Sequence, residues 1–158
     1  RRERLMWRRV LREHFGQSIC VEYSEDGVPE IKNFPYKHIS VSHCRGVVAV
    51  VASQRVCGVD VERTFRNFER IASRYVSEQE WTLREQRGCD RQMFLAAVWS
   101  AKECMYKLAR RSGLDLRRDL KIEDLDLKDG TVVGCVAGVG SVRMHIEQGD
   151  GYLVVYSY

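Results

Sequence analysis

The C-terminal stretch, residues 122–158, constrains the fold most. There "IEDLDL", "TVVGCVA", "SVRMHIE" and "YLVVYSY" alternate apolar and polar residues between "KDG", "GVG" and "QGDG". Period-two alternation broken by glycine turns predicts a small antiparallel meander. Residues 66–111 read as helix: one segment from Arg66, a second opened by the capping box Ser77 to Glu80, and a third from about Asp90. Nearer the N-terminus, Met6, Trp7, Val10 and Leu11 recur at helical spacing among arginines, which predicts an amphipathic helix over residues 1–14 stopped near Gly16. "SICVEY" reads as a half-buried strand and "EDGVP" as a turn. "HISVSHCRGVVAVVAS" reads as two strands joined around Cys44 to Gly46, and "VCGVDVE" as a third in the same antiparallel set. The class is α+β in one globular unit, and its helix, strand, helix, strand order suggests two lobes.

A chain of 158 residues, 44% hydrophobic and 30% charged, has the length and composition of an ordered globule. Its net charge of +4 is mild for a nucleic-acid binder and compatible with an anionic ligand or an acidic protein partner. Six cysteines without CxxC spacing read as small buried hydrophobes of a reducing compartment. No apolar run is long enough for a membrane span and no signal peptide opens the chain, so the expected location is cytoplasmic, without membrane or nucleic acid. The chain opens at Arg1 inside what already reads as a helix, so the natural N-terminus is expected to lie upstream.

Three short segments carry chemistry. In "GVDVE", residues 58–62, Asp60 and Glu62 are two apart on a strand, so both point to one face, roughly 7 Å apart. Two like charges on a largely apolar strand repel each other, and a cation between them removes that cost. Oxygen-only ligands suit Mg²⁺. The alternative is a strand end whose carboxylates reach water beside Arg63. "SHCRG", residues 42–46, offers a hydroxyl and an imidazole suited to phosphate oxygens, or else a histidine satisfied in a turn. Ser42 and His43 are not a nucleophile pair, because adjacent strand residues point to opposite faces. In "WSAKECMYK", residues 99–107, Trp99, Glu103 and Lys107 lie on one helical stripe. Alone, that stripe also fits a surface Glu/Lys pair.

In their order and spacing these segments resemble the 4'-phosphopantetheinyl transferase superfamily, whose signature is G-(I/V)-D-(I/V) followed by (F/W)-(S/C/T)-x-K-E-(A/S/C)-x-x-K. The preceding Ser-His segment resembles the two-lobed, surfactin-type branch rather than the short, trimeric holo-acyl-carrier-protein synthases. The resemblance implies two pseudo-twofold-related lobes, residues 1–55 (incomplete at its start) and 56–158 (with the metal site), and coenzyme A between them. It implies transfer of phosphopantetheine from coenzyme A to a serine of an acyl or peptidyl carrier protein, as in fatty acid biosynthesis, with release of 3',5'-ADP. Asp60, Glu62 and Glu103 would hold Mg²⁺, with Glu103 also the base. Lys107 would neutralise the pyrophosphate, and Ser42, His43, Arg2 and Arg8 would bind phosphates. The family's G-K-P turn is "GVP" here, so Val28 stands where a lysine usually meets the 3'-phosphate, and Arg2, Lys32 or Lys37 are the candidate substitutes. Arg66, Arg70 and Arg74, at i, i+4, i+8 beside Phe68, Ile71 and Tyr75, would dock an acidic carrier protein, and the branch implies a monomer. The competing readings are a coenzyme A-binding protein without catalysis and a basic nucleic-acid-binding module.

Overall fold

The computed structural model describes residues 2–16, 19–24, 27, 29–32 and 35–158, with the side chains of residues 2–5 excepted. Val28 and the Arg2 side chain therefore lie outside the described residues. Helix α1 (Arg2–Phe15) buries Trp7 and Leu11, one turn apart, while Met6 and Val10 stay half-exposed. Gly16 ends it at φ +96°, donating to Arg12 O at 3.0 Å, a left-handed stop that glycine adopts without strain. Strands β1 (Cys20–Tyr23) and β2 (Pro29–Lys32) form an antiparallel pair. The sequence reading ended its turn at Pro29 and missed β2, because proline lacks the amide that a central strand needs.

Strands β3 (His38–Cys44) and β4 (Val47–Ser53) form the expected hairpin around Gly46. Strand β5 (Gly58–Arg63) does not join it. Its ladder partner is the C-terminal strand β9 (Tyr152–Ser157), in a five-stranded sheet ordered β5-β9-β8-β7-β6 with β6 (Leu120–Asp126), β7 (Thr131–Val136) and β8 (Gly140–Gly149). The expected three-stranded set is thus corrected. On its open side β5 meets β3 through hydroxyls instead of a ladder: Val59 N–H donates to Ser40 Oγ at 3.0 Å. Side chains there do the work of backbone pairing, which keeps the buried amide satisfied.

A second correction concerns residues 66–75. No α-helix starts at Arg66. Residues 64–68 turn, and a 3-10 segment (Glu69–Arg74) follows. Phe68 and Tyr75 are fully buried, so they cannot be the exposed apolar contacts expected beside an arginine stripe. The three-residue turn of this segment removes Arg70 and Arg74 from one line.

The two remaining helices form where expected. Helix α2 (Glu78–Arg87) has the Ser77–Glu80 capping box and a left-handed Gly88 at its end. Helix α3 (Arg91–Ala109) begins where Asp90 accepts from Met93 N at 2.9 Å. Phe94, Leu95, Val98, Ala101, Cys104 and Met105 are wholly buried against the sheet, each large side chain contributing about 1.5–3 kcal/mol. A separate, smaller cluster of Trp7, Leu11, Ile19, Ile31 and Ile39 holds the N-terminal elements. Of the cysteines only Cys57 and Cys104 are buried; Cys20 is exposed and all six are free thiols. Among the described residues no helix is long and apolar enough to cross a membrane.

Candidate active site

The α3 stripe faces β5. Trp99 Nε1 donates to Glu62 Oε1 at 3.0 Å. Two turns on, Lys107 Nζ donates to Val59 O at 2.6 Å and to Asp60 Oδ1 at 3.2 Å. Glu103 lies on the stripe between them. The structure therefore brings together five residues singled out in the sequence, Asp60, Glu62, Trp99, Glu103 and Lys107. It does so because Gly58 lets β5 approach α3 closely: a Cβ there would lie 2.6 Å from Cys104 O.

Asp60 is only 5% exposed. Its Oδ1 also accepts from Ser42 Oγ at 2.8 Å, whereas the buried Oδ2 has no hydrogen-bond partner. A buried carboxylate oxygen without a donor is costly unless some cation completes it. Its neighbours point the same way. Burial pushes the Glu103 carboxyl above the ordinary carboxylate range, and Asp60 and Glu62 add to the rise while Lys107 opposes it. Burial raises Glu62 too, offset by Arg66, which salt-bridges it and also lies over the Phe68 and Trp99 rings. Three carboxylates gather here around Lys107 and Arg66. As the side chains stand, no group of three or more His, Cys, Asp or Glu among the described residues closes into a metal-ligand set. Ser42 and Lys107 share Asp60 Oδ1, and Trp99 and Arg66 share Glu62 Oε1. Thiol chemistry is not on offer beside them, since burial pushes Cys104 up to about 12.

Other residues named from the sequence fall elsewhere. His43 is exposed on β3, on the face opposite Ser42. Arg8 lies in the N-terminal cluster, its guanidinium 5.5 Å from the Trp7 ring centroid and 5.9 Å from that of Tyr23. With Arg12, Ile19, Cys20 and Val21 it lines a cavity of about 260 Å³. Lys32 is paired with Glu30 at 3.3 Å, and Lys37 is exposed. Arg66 is bound to Glu62, while Arg70 and Arg74 are exposed on the 3-10 segment. Sequence reasoning missed the buried pair of Lys102 and Glu80, which meet at 2.7 Å. The signal was a lysine inside an apolar helix, which needs a buried partner.

The family model of the 4'-phosphopantetheinyl transferase superfamily matches residues 56–151, more than half of the 158 residues. Among solved structures the chain is similar to the holo-(acyl-carrier-protein) synthase AcpS of Thermotoga maritima, with 24% identity and a TM-score of 0.48, over 63% of this chain and 60% of that one. The chain thus matches less than two thirds of that structure's length. No curated protein matches it. By the family match, which spans β5, α3 and most of the five-stranded sheet, the chain belongs to the 4'-phosphopantetheinyl transferase superfamily.

Proposed function

We propose that this chain transfers 4'-phosphopantetheine from coenzyme A to a serine hydroxyl of an acyl or peptidyl carrier protein, as a monomeric, cytoplasmic, two-lobed enzyme of the surfactin type. Residues 1–55 and 56–158 are the two lobes, and the two core clusters support that division. The observation that carries the reading is the unpartnered Asp60 Oδ2, buried beside Lys107 and Glu103 inside the family-matched region.

The donor set fits a divalent cation: oxygen ligands only, one buried carboxylate oxygen without a donor, and a Glu103 carboxyl raised by burial and by its carboxylate neighbours. Asp60, Glu62 and Glu103 would hold Mg²⁺, which takes one or two carboxylates together with substrate phosphates. When bound, the ion would supply positive charge to the pyrophosphate of coenzyme A. The rest is the work of side chains. Lys107, at the end of the stripe, adds charge where the leaving 3',5'-ADP gains it. Glu103, its carboxyl already raised by burial, takes the serine proton directly or through one water as the new O–P bond forms and the pyrophosphate bond breaks. Ser42 fixes the Asp60 carboxylate through the 2.8 Å hydrogen bond. His43 and Arg8 meet phosphates of the nucleotide end, and Arg66, Arg70 and Arg74 receive the acidic carrier.

The test is incubation with coenzyme A, Mg²⁺ and a panel of unmodified carrier proteins, read by mass spectrometry. One added phosphopantetheine on at least one carrier supports the proposal. Coenzyme A binding without loading of any carrier would replace it with the non-catalytic reading.

A further inference from the structure

Lys102 is wholly buried, as is Glu80 at 1%. Its ammonium donates to Glu80 Oε1 at 2.7 Å, to Glu80 Oε2 at 3.0 Å and to Tyr75 O at 2.5 Å. Glu80 in turn accepts from Ser77 N–H at 2.7 Å and from Ile122 N–H at 2.9 Å. One lysine and one glutamate therefore tie α3 to the end of the 3-10 segment, the start of α2 and strand β6. A capping box needs only the Ser77 contact. The extra bonds converge on the residue next to Glu103.

Apolar packing alone fixes the roll of a helix less sharply than directional bonds do, because dispersion has no preferred direction. Side-chain tips stand about 5–6 Å from a helix axis, so a roll of about 20° carries the Glu103 carboxylate roughly 2 Å. An error of about 1 Å in a reacting group costs on the order of a hundredfold in rate. The catalytic stripe has its own anchors, Trp99 to Glu62 and Lys107 to Val59 and Asp60. Those anchors involve the very groups that must bind ligands, so they cannot also be the fixed reference. Lys102 and Glu80 meet no such group.

We propose that the buried Lys102–Glu80 pair is a positioning device that sets the roll of α3 and so places Glu103 and Lys107 against Asp60. The inference rests on the proposed transfer reaction for its catalytic consequence, and on the packing of α3 alone for its structural one. Neither residue touches the reacting atoms.

The test uses Lys102→Met, which fills the same space without the ammonium, and Lys102→Met with Glu80→Gln, which also removes the stranded charge. Removing one partner of a buried pair destabilises strongly, whereas a neutral pair of similar volume recovers stability. Each is assayed well below its own melting temperature. The expected result is that the double variant regains thermal stability over Lys102→Met, while kcat in both stays at least tenfold below wild type and the KM for coenzyme A moves less than about twofold. A second readout needs no activity: the ¹⁹F resonance of fluorotryptophan at Trp99 shifts in both variants as its bond to Glu62 is disturbed. If kcat recovers together with stability and the Trp99 resonance matches wild type, the pair is merely structural and the proposal is overturned. A Trp99 resonance shifted in both variants, alongside a wild type that loads no carrier, would uphold the brace and refute the transferase reading instead. Should Lys102→Met not fold, the double variant alone decides between these outcomes.

Discussion

Gly58→Ala tests whether the close approach of β5 to α3 builds the site. The new Cβ would stand 2.6 Å from Cys104 O, 3.0 Å from Cys104 Sγ and 3.0 Å from Leu108 Cγ. Leu108 can adjust by rotation. The Cys104 carbonyl cannot, because it belongs to the backbone of a buried helix, so strand and helix must separate by several tenths of an ångström. Overpacking of this kind costs about 1–3 kcal/mol, and the entropy that alanine removes from the unfolded chain returns about 0.4–1 kcal/mol. The expected net loss is about 1–2 kcal/mol. With a urea m-value of about 1–3 kcal/mol/M, the unfolding midpoint should fall by roughly 0.3–2 M. The separation opens next to Glu103 and two residues from Asp60, so kcat for carrier loading should fall at least tenfold in the folded variant. A midpoint within about 0.2 M of wild type, with unchanged kcat, would refute the reasoning.

Further outcomes follow from the charges at the site. Glu103→Gln should keep the fold and abolish transfer, since under the proposed mechanism it removes a metal donor and the base together. In chelator it should also stabilise the chain at pH 7: the folded carboxyl titrates above its ordinary 4.5, so wild-type stability falls as pH rises through that range. Thermal melts should show the gain vanish below about pH 4, where the wild-type carboxyl is protonated in both states; a gain independent of pH would contradict the electrostatic account. Asp60→Ala should lose activity and recover part of it at high Mg²⁺, and a loss indifferent to metal would make Asp60 structural. Arg70→Glu with Arg74→Glu, two exposed arginines, should raise the KM for the carrier at least tenfold with the coenzyme A KM unchanged. An unchanged carrier KM in the folded variant would put docking elsewhere.

What could be read from residues alone was whatever depends on local pattern. The Ser77–Glu80 capping box, the C-terminal meander and the shared face of Trp99, Glu103 and Lys107 all follow from periodicity. Three features depended on distant partners. Strand β5 pairs with β9 and not with the β3–β4 hairpin, and nothing in its alternation of valines and carboxylates says which strand supplies its ladder. The segment after Arg66 became a 3-10 coil flanked by the buried rings of Phe68 and Tyr75, and no local signal announces which of its residues the core takes. Lys102 looked like one charge among several in its nonapeptide until Glu80, 22 residues earlier, proved to be its partner. Asp60, Glu62, Glu103 and Lys107 could be singled out because charged residues among apolar ones need a partner, and the structure brings these four together.

The central claim is that the carboxylates at β5 and α3 drive phosphopantetheine transfer. Single-turnover loading of a carrier protein, with carrier mass and released 3',5'-ADP measured in the same sample, addresses it most directly. Wild type with Mg²⁺ should yield the two products in equal amounts, whereas chelator or Glu103→Gln should yield neither, although the variant melts as a folded protein. Equal loading by wild type and Glu103→Gln, or loading undiminished in chelator, would contradict it.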